Sequence, residues 1–189
     1  KVLFEFVTLS PKEIHDLGQE EEEHESRLTE EVLEEERERK KKRSILLQSA
    51  SSRLTESFKK WWNQGDHRFR LEADGKHFRI WVSDDLRPAE VELPGRSTGL
   101  QWFFSFYLIF LVEAQGKHKN TILLLDEPGL SLHPLAQKDL SLFFENLSEE
   151  SQLLYTTHSP FMVDPERLDR VKAVYVDREG YSRVSSDLS

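Results

Sequence analysis

The chain has 189 residues, of which 37% are hydrophobic and 32% are charged, and this length allows one domain or one and a half. Its formal net charge of −9 argues against a broad nucleic-acid-binding surface but not against a local basic patch. The absence of cysteine excludes a disulfide framework and thiolate chemistry, and it fits a reducing cytoplasm.

The first segment, Lys1 to Val7, is apolar, and its periodicity fits a short helix or a strand equally well. Because the chain starts without Met and has no signal peptide, we expect it to be an internal part of a longer cytoplasmic protein. Ser10 and Pro11 then predict a helix start, and Glu13 is expected to close a capping box with Ser10. Gly18 is expected to end this short helix.

A long stretch from Glu20 to about Trp62 contains neither proline nor glycine and predicts one helix, roughly 60 Å long at about 1.5 Å per residue. Its middle, Glu34 to Arg43, has no apolar residue, so we expect an exposed helical arm whose root packs on the domain. The basic run Lys40 to Arg43 fits either a solvated helix face or a contact with a phosphate backbone. Apolar positions before and after the middle predict intermittent contacts: Leu28, Val32, Leu33, Ile45, Leu46, Leu54 and Phe58.

A predicted antiparallel block follows the helix. His67 to Ala73 and Lys76 to Val82 alternate in polarity around Asp74-Gly75, a strong signal for a two-residue hairpin turn. Glu90 to Leu93 predicts a third strand. Leu100 to about Ala114 is apolar on nearly every face, which predicts a deeply buried helix whose apolar run is too short to span a membrane.

The most informative stretch is Ile122 to Leu125, four aliphatic residues that run directly into Asp126 and Glu127. An apolar run without polar alternation predicts a parallel strand covered on both faces. Its carboxyl end is the position at which open α/β sheets bind ligands. Leu135 to Leu147 then predicts an amphipathic helix, and Gln152 to Thr156 predicts a second short buried strand.

The last predicted element is a hairpin formed by Arg170 to Asp177 and Tyr181 to Val184, around the turn Arg178-Glu179-Gly180. In the amphipathic helix predicted at Leu135 to Leu147, four residues are expected to face inward: Leu140, Phe143, Phe144 and Leu147.

Three short motifs follow one another along the chain, namely Arg96-Ser97-Thr98-Gly99, Leu125-Asp126-Glu127-Pro128 and Thr156-Thr157-His158-Ser159. Each has an ordinary structural explanation, since a serine can cap a helix, an acidic pair can cap a loop, and a histidine can be a structural imidazole. Their order on these elements resembles the second half of an ATP-binding-cassette (ABC) ATPase. The resemblance implies an α/β fold, a partial P-loop NTPase of ABC type with a parallel-strand core, flanking helices, a small antiparallel β block and a long charged helical arm.

The same resemblance implies a role for each motif residue. Asp126 is expected to hold the Mg²⁺ that bridges the nucleotide phosphates, directly or through water. Glu127 is expected to act as the general base on the attacking water, and His158 to contact the γ-phosphate. The signature at a helix N-terminus is expected to bind the ATP held by the opposite protomer, so the complete site needs a dimer or higher oligomer. The signature residues are Arg96, Ser97, Thr98 and Gly99.

Two positions depart from the usual pattern or leave an alternative open. Gly129 to His133 corresponds to the D-loop, which includes Ser131 and lies across the dimer seam in ABC ATPases. His133 replaces the usual aspartate there, so we expect a different contact across the dimer. Arg96 is expected to add positive charge near the phosphates, or else to form a salt bridge with a local acid.

The stretches GRSTGLQWFFSF, ILLLDEPGLSLHPLAQ and YTTHSPFMVDP resemble the overcoming-lysogenization-defect (OLD) group of ABC-type ATPases. These proteins are usually joined to a Toprim nuclease and are related to RecF and chromosome-maintenance (SMC) ATPases. The resemblance implies a C-terminal ATPase lobe at residues 61–189, preceded by a helical segment with the charged arm at residues 1–60. The Walker A motif G-x-x-x-x-G-K-[ST] is absent from the sequence, so we expect this chain alone neither to hold ATP tightly nor to cut DNA.

The leading hypothesis is the ATP-binding and hydrolysing lobe of an OLD-like ATPase whose dimerisation and ATP cycle gate a DNA-directed nuclease activity, which fits phage defence. The expected partners are Mg²⁺, ATP, a second protomer, DNA and a Toprim or other nuclease domain, with no membrane. The alternative is an SMC- or RecF-like clamp that bridges DNA without a nuclease, which the long charged helix favours. A transporter subunit fits poorly because of that helix and of the sequence Ser131-Leu132-His133-Pro134.

Overall fold

The structure, a computed structural model, describes residues 2–18, 30–74, 77–114, 121–149 and 151–187. The α-helices are α1 (Val2–Phe6), α2 (Pro11–Asp16), α3 (Glu30–Lys59), α4 (Thr98–Ala114) and α5 (Pro134–Leu147). The strands are β1 (Arg68–Asp74), β2 (His77–Ser83), β3 (Val91–Glu92), β4 (Ile122–Leu125), β5 (Gln152–Tyr155), β6 (Ala173–Val176) and β7 (Ser182–Ser185). The strands form three small sheets in the orders β1-β2-β3, β4-β5 and β6-β7.

The first segment is helical, which decides between the two possibilities that its sequence allows. At the start of α2, the Ser10 hydroxyl accepts a hydrogen bond from the Glu13 N–H over 3.2 Å, as predicted. The Glu13 carboxylate does not complete the expected capping box. It instead forms an ion pair with Lys42 Nζ at 3.2 Å, which joins α2 to the charged middle of α3.

Helix α3 is long, as predicted, and its described part begins at Glu30, because residues 19–29, with Leu28, lie outside the described residues. Its C-terminal half enters the core through Leu47, Leu54 and Phe58, which are at most 7% exposed. Leu33 and Ile45 are 38% and 56% exposed, so neither is part of the buried core and their predicted contacts are at most partial. Charged residues surround Leu33 and Ile45 on the helix, so these two side chains do not belong to a continuous apolar stripe that could pack against the core.

Strands β1 and β2 form the predicted antiparallel hairpin, with Arg68 opposite Ser83 and Leu71 opposite Ile80. Residues 75–76 of its predicted turn lie outside the described residues. The other side of β1 faces α3, where Ser51 Oγ accepts from the Leu71 N–H at 2.8 Å. Thr55 Oγ1 accepts from the Phe69 N–H at 2.9 Å. Hydroxyl groups of α3 therefore satisfy the backbone donors of an edge strand.

The core is built around the ring of Phe58, which is 1% exposed. This ring packs edge-to-face against Phe69 of β1 and against Phe103 and Tyr107 of α4, with centroids 4.9, 5.8 and 5.4 Å away. The core therefore combines residues on both sides of the predicted boundary at residue 60, and the two-part division stays a prediction. Burial of α4 is one-sided rather than complete, because Ile109 is 48% exposed.

Strands β4 and β5 are parallel, with Leu123 opposite Leu153. The expectation that β4 is covered on both faces was wrong for the described residues, since Ile122 and Leu124 are 66% and 70% exposed. The opposite face packs on the core, for example through Tyr155, whose ring lies 5.2 Å from that of Phe144 in α5. Helices of the described chain thus cover one face of this sheet.

The prediction that β5 is buried was also wrong for Leu154, which is 66% exposed on the same open face. The predictions for α5 and for the last hairpin agree with the structure. The inward side chains of α5 are Leu140, Phe143 and Phe144, all at most 3% exposed, and Leu147 packs against them. The last hairpin pairs Val174 with Val184 in antiparallel register. Among the described helices, none is both long and apolar enough to cross a membrane.

Candidate functional site

The candidate site lies at the carboxyl ends of β4 and β5, which meet because the two strands are parallel. Asp126 and Glu127 follow β4, and Thr156 and His158 follow β5. The Thr156 hydroxyl donates to Asp126 Oδ1 at 2.5 Å and accepts from the Glu127 N–H at 3.0 Å. One hydroxyl therefore holds both members of the acidic pair that the sequence predicts as a catalytic site.

Glu127 is held in an unusual backbone conformation, with φ = +46°. A non-glycine residue in this left-handed region is strained, and such strain persists where neighbouring contacts fix it. Here the His158 N–H donates to Glu127 Oε2 at 3.2 Å, and His158 Nε2 lies 3.5 Å from Oε1. The Glu127 side chain is 26% exposed and the His158 side chain 95%, so the imidazole lies at the surface beside a partly sheltered carboxylate.

The segment predicted to be the D-loop begins with a turn at Gly129, which is buried with φ = +76°. A Cβ at this position would lie 2.7 Å from Leu140 Cδ2, so the turn fits glycine in both conformation and space. Leu132 anchors the loop in the core, whereas Ser131 and His133 are exposed. His133 also caps α5, since its Nδ1 accepts from the Leu135 N–H at 3.5 Å. The two predicted D-loop residues thus point away from the core of the described chain.

The signature segment lies next to this loop. Ser97 Oγ accepts from the Leu100 N–H at 3.4 Å at the start of α4, which agrees with the N-cap interpretation. A Cβ on Gly99 would lie 3.3 Å from the backbone oxygen of Ser131, so the signature helix packs closely against the D-loop. Ser97 and Thr98 are exposed at this helix start.

Arg96 has the salt bridge that the sequence leaves open as an alternative. Its Nη2 pairs with Asp84 Oδ2, and the two side chains are only 6% and 10% exposed. The hydrogen bond from Arg96 lowers the pKa of Asp84, with a further contribution from the Arg87 N–H, which donates to the same carboxylate. The guanidinium is therefore engaged inside the fold, and its predicted contact with phosphates stays a prediction.

Two residues near the site were missed as functional candidates in the sequence. Thr156 has no predicted role, although the signal for one is a hydroxyl directly after a strand that is expected to lie beside the acidic strand. Gln137 is a polar residue on the inner face of α5 and is 7% exposed. A buried amide requires hydrogen-bond partners, so a polar position among the inward residues of an amphipathic helix was the available signal.

The donor set bears on whether a metal ion fits. Among the described residues, no three histidine or carboxylate side chains converge to hold a metal by themselves. Mg²⁺ usually binds through one or two carboxylates together with substrate phosphates. Asp126 therefore fits a metal ion that binds with the phosphates of a nucleotide.

A family model described as "AAA domain, putative AbiEii toxin, Type IV TA system" matches residues 7–164, most of the chain. The chain belongs to this AAA domain family. The match confirms that this AAA domain is of the ATPase class predicted from its motifs, and it covers the signature, the acidic pair and His158.

Two proteins share sequence with this AAA domain over part of their length. An uncharacterized protein of Methanocaldococcus jannaschii is 33% identical over 138 residues, which cover 69% of this chain and 36% of that protein. The OLD nuclease of Thermus scotoductus is 32% identical over 100 residues, which cover 49% of this chain and 18% of that protein. The chain thus spans about a third of the length of one relative and under a fifth of the other.

Solved structures of SMC ATPase heads share the fold of this AAA domain. An SMC ATPase studied for ATP-driven dimerization and DNA-stimulated activation aligns with a TM-score of 0.51 and 22% identity, covering 71% of this chain and 80% of that one. The SMC head bound to the C-winged helix domain of ScpA aligns with a TM-score of 0.54 and 19% identity, covering 96% and 52%. These similarities confirm the predicted α/β fold with a parallel sheet and flanking helices.

Proposed function

We propose that this AAA domain is the signature and Walker B lobe of an OLD-like ABC ATPase, whose ATP-driven dimerisation gates a DNA-directed nuclease activity. The observation that carries the proposal is the convergence of Asp126, Glu127, Thr156 and His158 at the adjoining ends of β4 and β5. Carboxylates that differ in surroundings can serve different roles at one site. Asp126 accepts a hydroxyl hydrogen bond, and Glu127 lies beside an imidazole.

The chemistry proposed for each group follows from its position. Glu127 accepts a proton from the water that attacks the γ-phosphate, since its carboxylate is partly sheltered from solvent. His158 donates a hydrogen bond to a γ-phosphate oxygen from the neighbouring strand end. Asp126 would hold Mg²⁺, and the ion would neutralise charge on the phosphates of bound ATP.

The second protomer supplies the other half of the proposed site. Ser97, Thr98 and Gly99 lie at the N-terminus of α4, where backbone N–H groups favour an anion such as phosphate. The close approach of Gly99 to the Ser131 backbone supports a common surface for the signature and the D-loop. On this proposal, ATP lies between the Walker motifs of one protomer and the signature of its partner.

The nuclease part of the proposal rests on sequence similarity to the OLD nuclease, over 49% of this chain. The competing candidate is an SMC-like clamp that bridges DNA without cleaving it. The long charged helix α3 and the alignment with SMC heads favour that candidate. Incubation of the complete protein with supercoiled plasmid and Mg²⁺ separates the two, because only the nuclease nicks or linearises the plasmid.

The ATPase proposal is tested with Glu127→Gln in the complete protein, which keeps the size of the side chain and removes the base. We expect the hydrolysis rate to fall by about a hundredfold or more and an ATP-bound dimer to accumulate, measured by phosphate release and by light scattering. Glu145→Gln, at an exposed position of α5, is the matched control and should hydrolyse ATP normally. Undiminished hydrolysis by Glu127→Gln contradicts the assignment.

A further inference from the structure

Gln137 makes two hydrogen bonds from a buried position on α5, where it is 7% exposed. Its Nε2 donates to the backbone oxygen of Gly129 at 3.1 Å. Its Oε1 accepts from the hydroxyl of Ser159 at 2.5 Å. The side-chain amide thus joins two loops that are 30 residues apart in the sequence, since Gly129 begins the D-loop and Ser159 follows His158.

Each partner of Gln137 is fixed to the loop it belongs to. Gly129 accepts a second hydrogen bond from the Leu132 N–H at 2.9 Å, so its carbonyl also holds the D-loop turn. Ser159 Oγ accepts from the Phe161 N–H at 3.3 Å and caps the short 3-10 helix Pro160–Met162. That helix is anchored in the core by Met162, which is fully buried. The amide therefore connects two local structures that each have their own anchor.

We propose that Gln137 is a positioning residue that couples the loop carrying His158 to the D-loop of the same protomer; this inference rests on the proposed ATPase function. A shift of the His158 loop moves Ser159, and the buried amide then either follows it or loses a partner. An unpaired buried amide is unfavourable, so the D-loop carbonyl moves with Ser159. Contact between His158 and the γ-phosphate in one site is thereby transmitted to Ser131 and His133 at the dimer surface.

Two substitutions break the bridge at different ends. Gln137→Glu keeps an acceptor for Ser159 but replaces the donor to Gly129 with a carboxylate oxygen, which repels the carbonyl. Ser159→Ala removes the hydroxyl at the other end, and Ser159→Thr retains it. Lys138→Met changes the adjacent exposed residue of α5 and is the control for a change on this helix.

The first measurement needs no ATP hydrolysis. Hydrogen exchange of the D-loop peptide containing the Leu132 amide is followed in the complete protein without nucleotide. Ser159→Ala, which alters no group of the D-loop itself, should speed exchange there by about tenfold, and Ser159→Thr should restore the original rate. Wild-type exchange in Ser159→Ala overturns the coupling.

The second measurement is steady-state ATP hydrolysis by the complete protein. Gln137→Glu should lower kcat by about tenfold while KM for ATP stays within about twofold, because the bridge contacts no nucleotide group. Wild-type kcat in this variant overturns the positioning role, as does an equal loss in Lys138→Met. If the wild-type protein hydrolyses no ATP, the proposed function fails, and the exchange experiment still decides whether the two loops are coupled.

Discussion

The hydroxyl of Thr156 lies 2.5 Å from Oδ1 of Asp126, so the residue after β5 orients the first carboxylate after β4. The same oxygen accepts the N–H of Glu127, the residue with φ = +46°. The Thr156 hydroxyl donates to the Asp126 carboxylate and accepts from the Glu127 backbone. These two hydrogen bonds explain how the strained turn keeps its shape. This geometry ties the metal-ligand and base roles proposed for the two acids to a single side chain.

Thr156→Val tests this relationship because valine has the same shape and no hydroxyl. Asp126 then loses a donor, and the backbone of Glu127 loses its acceptor. We expect the Mg²⁺ concentration for half-maximal ATP hydrolysis to rise and kcat to fall, each by about tenfold. Thr156→Ser should restore both. An unchanged Mg²⁺ dependence in the valine variant would show that Thr156 does not orient Asp126.

Gly129→Ala tests the turn that begins the D-loop. Alanine is strained at φ = +76°, and its Cβ would meet Leu140 Cδ2 at 2.7 Å. We expect the free energy of unfolding to fall by about 2–3 kcal/mol in urea titrations. The control is Gly180→Ala, at φ = +86° with no neighbouring atom within 4 Å, which should cost about 1 kcal/mol. Equal losses of stability in the two alanine variants would mean that neighbouring side chains such as Leu140 move to make room for the added Cβ at position 129.

Asp84→Asn tests the buried pair that holds Arg96 at the signature. Removing one charge leaves the Arg96 guanidinium buried without its counter-ion, so we expect a loss of about 2–3 kcal/mol in the free energy of unfolding. The adjacent Asp85 forms an exposed pair with Arg68 at 2.9 Å. Asp85→Asn should therefore change stability by no more than about 0.5 kcal/mol. Similar losses of stability in the two variants would show that burial of the Arg96–Asp84 pair does not increase its contribution to stability.

His67 predicts how stability depends on pH. Burial lowers its pKa from the ordinary 6.5, although the Gly65 carbonyl opposes this by hydrogen bonding to Nδ1. Above pH 6.5 the imidazole is neutral in both the folded and the unfolded chain, so its titration does not change the free energy of unfolding. As the pH falls below 6.5, the unfolded chain takes up the proton first, and stability declines until the lowered pKa of the folded state is passed.

The check compares unfolding midpoints of the wild type and His67→Gln at pH 7.5 and pH 5.5. The wild type should lose more stability on acidification than the variant, whose side chain stays neutral. His15→Gln, at an exposed position, is the control for replacing a histidine outside the core. An equal loss in the wild type and His67→Gln would show that His67 does not contribute to the acid sensitivity.

The sequence predicted elements whose signals are local. The aliphatic run of β4 and the amphipathic pattern of α5 each lie within one segment and were confirmed. The contact of Arg96 with Asp84 could not be chosen in advance, because several acids were available and only the folded chain brings this one close. The one-sided exposure of β4 was also missed, since an apolar run does not say how many layers cover it.

For the site, the sequence predicts which kinds of side chain are present but not how they are arranged. Acidic, hydroxyl and imidazole groups at two strand ends were predictable from their order, because parallel strands end at one edge of a sheet. The left-handed conformation of Glu127 and the bridge by Gln137 depend on contacts between distant segments. No periodicity in the sequence carries that information.

The hydroxyls of Ser51 and Thr55 attach α3 to the backbone of β1, and Leu54 and Phe58 bury the same stretch of helix. We therefore expect the helix and the three-stranded sheet to behave as one rigid unit. Over its 30 residues, α3 extends about 45 Å. A rotation of the sheet by about five degrees would displace the Glu30 end, which lies about 32 Å along the helix from Ser51, by about 3 Å. A small rotation at the root would thus be amplified along the charged arm, and the ion pair of Lys42 with Glu13 would carry it to α2.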